Sequence, residues 1–290
     1  MKTAANKQLT IHLGTPRVSL RYRSRNAITM RRIQFIELHD QSWFPSSIRD
    51  DITHALQFGL SLLKAYAPIA PLLRGALDSA RSESIVDMCS GGGGPWLYLS
   101  RKLGGPAQAI HVCLTDKYPN IRAFQSLSAA SENRITFTPD SVDAMNVPGE
   151  LKGFRTMFTS FHHFSPEQAR AILQSAVDDG QDIGIFEMTR RSPLTIALMF
   201  PWAVMPVFFT PWIRPFRWSR LVWTYVIPIV SFVFLFDGIV SCLRTYWPEE
   251  LREMVEKLSA TGYQWEIGER SGSAAEIPIT YLVGCAPTRP

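Results

Sequence analysis

Hydrophobic positions in this 290-residue chain follow three rhythms in succession. Between 34 and 83 they fall at helical spacing. From Ile52 to Leu63 the apolar residues recur every three or four positions, as one buried helix face requires. Two or three helices are expected there, with Pro68 and Pro71 breaking the run. From 84 onward, short apolar runs (SIVDMC, AIHVCL, RITFT, RTMFTS, DIGIFEM) alternate with longer segments of helical pattern. That alternation predicts an α/β fold, a parallel sheet flanked by helices. One helix is signed at both ends. Ser165-Pro166-Glu167-Gln168 forms a capping box with proline at the first helical position, and Gly180 closes the helix. Another follows Pro248, with Leu251, Met254, Val255 and Leu258 as its stripe and Gly262 as its stop. The last two strands, near 263–268 and 277–285, leave no room for a helix between them and should pair antiparallel.

The third rhythm lies between strand five and the penultimate helix. Residues 192–213 and 221–236 contain no charged side chain, and RPFRWSR separates them. Length allows the first run to cross a bilayer, whereas the second is short for the roughly 20 residues a span needs. A full crossing would carry Arg214, Arg217 and Arg220 to the far side, against the usual charge bias. Prolines at 193, 201, 206, 211, 215 and 228 should also interrupt regular helix. The pattern therefore predicts an in-plane or re-entrant hairpin, its aromatics in the lipid interface and its arginines near headgroups. A soluble apolar lid over a hydrophobic pocket is the competing expectation.

Charge divides the chain. Residues 1–33 carry Lys2, Lys7, Arg17, Arg21, Arg23, Arg25, Arg31 and Arg32 and no acid. Of 30 basic residues these eight leave 22 against 25 acidic ones, so the body is mildly acidic. Such an arm suits anionic lipid or nucleic acid, or a solvated terminus. The acidic body disfavours nucleic acid as the partner. Cys89, Cys113, Cys242 and Cys285 are far apart and lack metal-ligand spacing, so neither disulfides nor a zinc site is expected. No other metal site is expected either.

The stretch IVDMCSGGGGPWLYLS, 85–100, sets four glycines between a strand and a helix. Adjacent glycines are conformationally expensive and imply a close approach to the backbone, as in a nucleotide-binding turn of an open α/β sheet. Pro95-Trp96 follows where a phosphate loop would need Gly-Lys-Ser/Thr, and Trp96 stands where GxGxxG needs its third glycine. Both of those readings fail.

In this part of the chain the sequence resembles the class I S-adenosylmethionine-dependent methyltransferases. Asp87-Met88-Cys89-Ser90-Gly91-Gly92-Gly93 is similar to their first motif, D-x-G-x-G-x-G, with Cys89 replacing the first glycine. Asp116 ends the second strand where the family's ribose-binding acid stands. Ser141-Val142-Asp143-Ala144 resembles the turn whose acid meets the adenine amino group. TSFHHF, 159–164, is similar to the fourth motif, and the final hairpin to the family's reversed seventh strand. The resemblance covers 84–191 and 247–286. It implies a seven-stranded Rossmann-like sheet, mostly parallel, and S-adenosylmethionine held by Asp87, Ser90, Gly91, Gly93, Asp116, Asp143, Ala144 and Ser160.

The implied organisation is a basic arm (1–33), a helical cover (34–83), a core (84–191 and 242–290) and an apolar insertion (192–241). His162 and His163 stand where strand four opens onto the crevice, suited to take a proton from a hydroxyl or thiol. Glu187, ending strand five, is a third catalytic candidate. Trp43 in the cover, Phe200 and Trp202 in the insertion, and Arg190 are candidate substrate contacts. The expected activity is methyl transfer to a hydrophobic small molecule or lipid, by a membrane-associated protein whose catalytic domain lies in the cytoplasm. Alternatives are a soluble cytoplasmic enzyme, an RNA methyltransferase using the basic arm, and a non-catalytic membrane-associated protein that keeps the fold.

Overall fold

The computed structural model describes residues 30–104, 109–270 and 278–287. Most of the predicted basic arm (1–29) lies outside the described residues. Seven strands form one sheet: β1 (Ser84–Asp87), β2 (His111–Asp116), β3 (Ile135–Ser141), β4 (Phe154–Phe158), β5 (Ile183–Glu187), β6 (Gln264–Arg270) and β7 (Ile279–Cys285). Their order is β3-β2-β1-β4-β5-β7-β6. β7 runs antiparallel to both β5 and β6, and the pairings among β1 to β5 are parallel. The order reverses between β1 and β4, so a crevice opens at the carboxyl ends of those strands.

Strands β4 and β5 are buried along their whole length, which explains why FRTMF and IGIFE read as continuous rather than alternating apolar runs. Helices cover both faces. Two of them, α2 (Ala70–Ala80) and α3 (Trp96–Leu103), pack with α4 (Ile121–Ala130) on one side. The capped helix α5 (Pro166–Asp178) and α9 (Pro248–Val255) pack on the other. Ser165 accepts from the Gln168 amide, completing the capping box read from sequence. Under the crevice, the Phe158 ring meets Tyr66 at 4.9 Å, Trp96 at 5.3 Å and Phe186 at 5.1 Å. Such pairs each add about 0.5–1.5 kcal/mol beyond burial and fix the end of β4.

The helical pattern of 34–83 resolves into α1 (Ser46–Leu62), a short 3-10 turn (Ala67–Ile69) and α2. Residues 34–45 are not helical. Their segment is held open by a buried carboxylate, Asp237, which accepts from the amides of Leu38 (2.7 Å) and His39 (3.2 Å). Arg49 then donates to the carbonyls of His39 and Gln41. Arg32 is docked too, donating to the Arg244 and Phe164 carbonyls and lying over the Tyr246 ring.

The insertion forms α6 (Pro193–Phe209), α7 (Trp218–Leu221), a π-helical turn (Val222–Val226) and α8 (Ile229–Arg244). Pro201 and Pro206 sit inside α6 without ending it, contrary to expectation. Each removes only one donor within a 17-residue helix. Helix Pro193–Trp212 is long and apolar enough to cross a membrane, while the return half bends by 76° between the π turn and α8. Two of the three arginines between the halves are not available to headgroups. Arg220 is buried against Asp51 at 3.2 Å, and Arg217 pairs with Asp50 at 3.1 Å. Together they tether the insertion to α1. Arg214 is the exposed one.

Candidate active site

The glycine turn after β1 is fixed from beneath. Asp87 accepts from Ser90 Oγ and Thr156 Oγ1, both at 2.7 Å. Burial pushes its carboxyl up to about 6, with those two hydroxyls partly opposing the shift. Asp87 therefore shapes the turn and does not line the crevice. Of the glycines, Gly91 and Gly94 take φ near +50°, a region that L side chains rarely adopt. The close approaches come from protein. A Cβ on Gly92 would lie 2.6 Å from the Thr53 carbonyl oxygen of α1, and one on Gly93 would lie 1.9 Å from Leu127 Cδ1 of α4. Gly93, expected at the cofactor, faces that helix instead. Cys89 itself sits at φ +55°, so the residue replacing the family's glycine keeps a glycine-like backbone.

Above the turn lies a cavity of about 340 Å³ lined by Ser90, Gly91, Gly92 and Gly94 and by Asp116, Asp143, Ala144 and Ser160. Asp116 accepts from the amides of Gly91 (2.7 Å) and Tyr118 (2.8 Å). Burial raises its carboxyl despite those amides. Asp143 accepts from Lys117 Nζ and the Met145 amide, each at 3.0 Å. Burial opposes the Asp143 charge, but that amide and Lys117 hold the carboxyl below its ordinary value. Ser160 Oγ is buried and has no hydrogen-bond partner. Seven of the eight residues expected at the cofactor thus surround this space or, in Asp87, support its floor; only Gly93 turns away.

A second cavity, about 440 Å³, adjoins the first. Apolar side chains dominate its wall: Ile52 and Leu63 from the cover, Leu198, Met199 and Trp202 from α6, and Phe234 from α8. His39, Leu56, Leu60, Thr159 and His163 line both cavities. Thr159 holds φ +45°, a genuine outlier for a β-branched residue, and its hydroxyl is hydrogen-bonded to the Tyr66 hydroxyl.

At the joint the histidines meet a set of carboxylates. His162 is buried, with Nδ1 at 2.8 Å from Glu187 Oε2, and its Nε2 has no hydrogen-bond partner. Glu187 Oε1 accepts from the amides of Ser160 (3.0 Å) and Phe161 (2.7 Å), so Glu187 orients the β4 turn and does not line either cavity. Burial would raise its carboxyl, but His162, then His163 and the Phe161 amide, hold it below the usual value. His163 Nδ1 lies 2.7 Å from Asp40 Oδ2 and 3.3 Å from Glu37 Oε2. Burial opposes an imidazolium there, yet Asp40 and Glu37 raise His163 to about 9. In the absence of a bound cation these carboxylates favour the charged form of the ring. Buried Arg244 donates to the carbonyls of His162 and His163 and to Glu37.

The substrate candidates divide. Trp202 lines the second cavity. Trp43 and Phe200 are exposed and line neither space. Arg190 pairs with Glu269 at 3.0 Å and lies over the Trp247 ring, away from both cavities. Glu37 and His39 escaped the sequence reading. Three ligating residue types within four positions of IELHD were the available signal, masked by the assumption of a helix.

No family model and no curated protein sequence matches the chain. Solved structures do resemble its fold. An O-methyltransferase family protein from Burkholderia thailandensis is 16% identical, covering 82% of this chain and 60% of its own, with a TM-score of 0.45. Magnesium protoporphyrin IX methyltransferase from Synechocystis is 12% identical over 82% of this chain and 86% of its own, TM-score 0.42. A structure described as a zinc-dependent alcohol dehydrogenase from Rhodobacter sphaeroides is 14% identical over 83% and 98%, TM-score 0.48. This chain spans about 60% of the length of the first of these. Likeness with TM-scores below 0.5 establishes neither fold nor activity. On its strand order, reversed β7 and crevice at the switch point, the chain has the Rossmann-like fold of the class I methyltransferases.

Proposed function

We propose that this protein transfers a methyl group from S-adenosylmethionine to a largely apolar small molecule or lipid bearing one polar acceptor group, at a membrane surface. The observation that carries this reading is the meeting of two unlike cavities at one shared wall. The first fits the cofactor. Asp116 and Asp143 offer acceptors for a ribose diol and an adenine amine, and the unpartnered Ser160 hydroxyl is free to bind a polar group. Bound there, the cofactor would supply an electrophilic methyl on sulfur. The chain's own task is to place an acceptor atom in line and to exclude water.

The second cavity suits the acceptor's apolar body, with its polar end at the histidines. Glu187 Oε2 holds His162 through Nδ1, which leaves Nε2, 3.6 Å from Glu37 Oε1, as the ring nitrogen on the side of the second cavity. His162 Nε2 would take the acceptor's proton, with Glu187 as the positioning residue. Membrane contact follows from the outer face of the insertion, where Phe208 is 67% and Trp218 76% exposed, beside Phe200, Trp212 and Phe232. An apolar patch of this kind marks an interaction surface. Helix α6 gives one face to the cavity and the other to the outside, which favours lying in the interface over spanning it.

Incubation with methyl-deuterated S-adenosylmethionine and extracted lipids and metabolites, followed by mass spectrometry, tests the activity. A labelled product is expected; no labelled product from any extract, with cofactor bound, would end the catalytic reading. Anionic vesicles should co-sediment the protein, and Phe208→Ser with Trp218→Ser should together reduce that binding about a hundredfold or more, since burying each such ring contributes about 1.5–3 kcal/mol. Unchanged sedimentation would remove the membrane from the account.

A further inference from the structure

The wall between the cavities holds four side chains with metal-ligating chemistry. Glu37, His39, Asp40 and His163 each present a ligand atom, and these atoms all lie within 4.8 Å of one another. Bonds of about 2.1 Å to a shared centre place tetrahedral ligand atoms about 3.4 Å apart. His163 Nδ1 lies 2.7 Å from Asp40 Oδ2 and 3.3 Å from Glu37 Oε2, and His39 Nε2 lies 3.7 Å from the other Asp40 oxygen, Oδ1. We propose that these four residues bind one divalent transition-metal ion between the cofactor cavity and the acceptor cavity.

Two further observations support the site independently of the clustering. Glu37 is fully buried, at 0% exposure, and its Oε2 makes no hydrogen bond among the described residues, with His163 Nδ1 at 3.3 Å as its cationic neighbour. A buried carboxylate oxygen left unsatisfied is costly, and a cation in the cluster would satisfy it. The other oxygen of Glu37 is held by Ser241 Oγ at 3.2 Å and Arg244 at 3.4 Å, which orients the carboxylate. His39 is held in the same way: its Nδ1 lies 2.6 Å from Asp237 Oδ2, leaving Nε2 facing Asp40. A carboxylate behind a histidine is the arrangement that fixes the ring of a metal-bound imidazole and strengthens it as a ligand. Two imidazoles with two carboxylates suit zinc, manganese or iron(II) better than calcium or magnesium, which prefer all-oxygen sites. The two carboxylates also balance the charge of one divalent ion.

The ligands reach the ion from both sides. Asp40 lines the cofactor cavity, Glu37 lines the acceptor cavity, and His39 and His163 line both. An ion here would face the polar end of an acceptor, so a hydroxyl-bearing acceptor is the class that it would recognise. This last point rests on the proposed methyl transfer; metal binding itself does not.

The test is calorimetric titration of the full chain, stripped with chelator and free of cofactor, with zinc chloride and separately manganese chloride. One equivalent should bind, with a dissociation constant in the micromolar range or tighter. Glu37→Gln and Asp40→Asn should each weaken binding at least tenfold, and Asp237→Asn about tenfold through His39. Glu37→Gln preserves the side-chain shape, and circular dichroism of both ligand variants establishes that they are folded. Absence of stoichiometric binding, or equal binding by the folded variants, would overturn the proposal. S-adenosylhomocysteine titrated into the same metal-free protein separates the two readings: cofactor binding without metal binding defeats only the metal site.

Discussion

The two cavities are neighbours built in opposite ways. The first takes Asp116, Asp143 and the turn after Asp87 from consecutive strand ends, with His39, Asp40, Asp50 and Thr53 added by the cover. The second is assembled from segments far apart in sequence, with Leu63 from the cover, Leu198 and Trp202 from α6, and Phe234 and Asp237 from α8. One is a property of the fold; the other is a property of the insertion packed upon it. On the proposed reading, cofactor binding rests mainly on the strand ends and acceptor choice on the cover together with residues 192–241. Variants that damage one cavity and spare the other put that division to the test.

The strongest such variant is Arg220→Ala. It removes the nearer of the two arginines that face buried Asp51, leaving Arg217 at 3.6 Å, and loosens the tether between α7 and α1. Breaking a buried pair from one side typically costs about 3–5 kcal/mol. Chemical denaturation should show a loss of that size, and a change below about 1 kcal/mol would mean that the insertion is held by other contacts. Next comes Asp116→Ala. Loss of charge-assisted bonds worth about 3 kcal/mol should weaken S-adenosylhomocysteine binding about 100-fold by calorimetry. Its unfolding midpoint is the control, because Asp116 also receives two backbone amides.

Acid should loosen the insertion before it disturbs the sheet. Burial, then the Arg220 and Arg217 charges, push His54 down to about 3. The unfolded ring titrates near 6.5, so the unfolded state binds the proton more readily across that interval. Stability from this site is whole above pH 6.5 and is lost as the pH falls toward 3, by about 2 kcal/mol at pH 5. His54→Gln should flatten that slope in melts between pH 5 and 7; a slope as steep as in the parent would place the titration elsewhere. The smallest effect expected is that of Leu198→Trp, which fills the second cavity. Turnover should fall about tenfold while S-adenosylhomocysteine affinity stays within twofold. A matching loss of cofactor binding would show that the cavities are not separable.

Legibility in the sequence followed the same division. The strands, the capped α5 and the final hairpin were readable because local periodicity and capping dictate them. Asp116, Asp143 and Ser160 were readable because strand ends converge wherever the sheet forms. The glycines pointed to the right place for a partly different reason: Gly92 and Gly93 admit α1 and α4, and Gly91 and Gly94 form the turn. Proline warned of breaks in α6 that two missing donors did not produce. The pairing of Arg217 and Arg220 with acids about 170 positions earlier is tertiary and leaves no local trace. Glu37 and His39 were invisible for a related reason. Their segment is shaped by Asp237 in α8, about 200 residues away.

Determining the structure with S-adenosylhomocysteine bound tests the central claim most directly. The account predicts the ribose at Asp116, the adenine beside Asp143, and the sulfur directed past Thr159 and His163 into the apolar cavity. A ligand lying elsewhere, or a sulfur facing away from that opening, would contradict it.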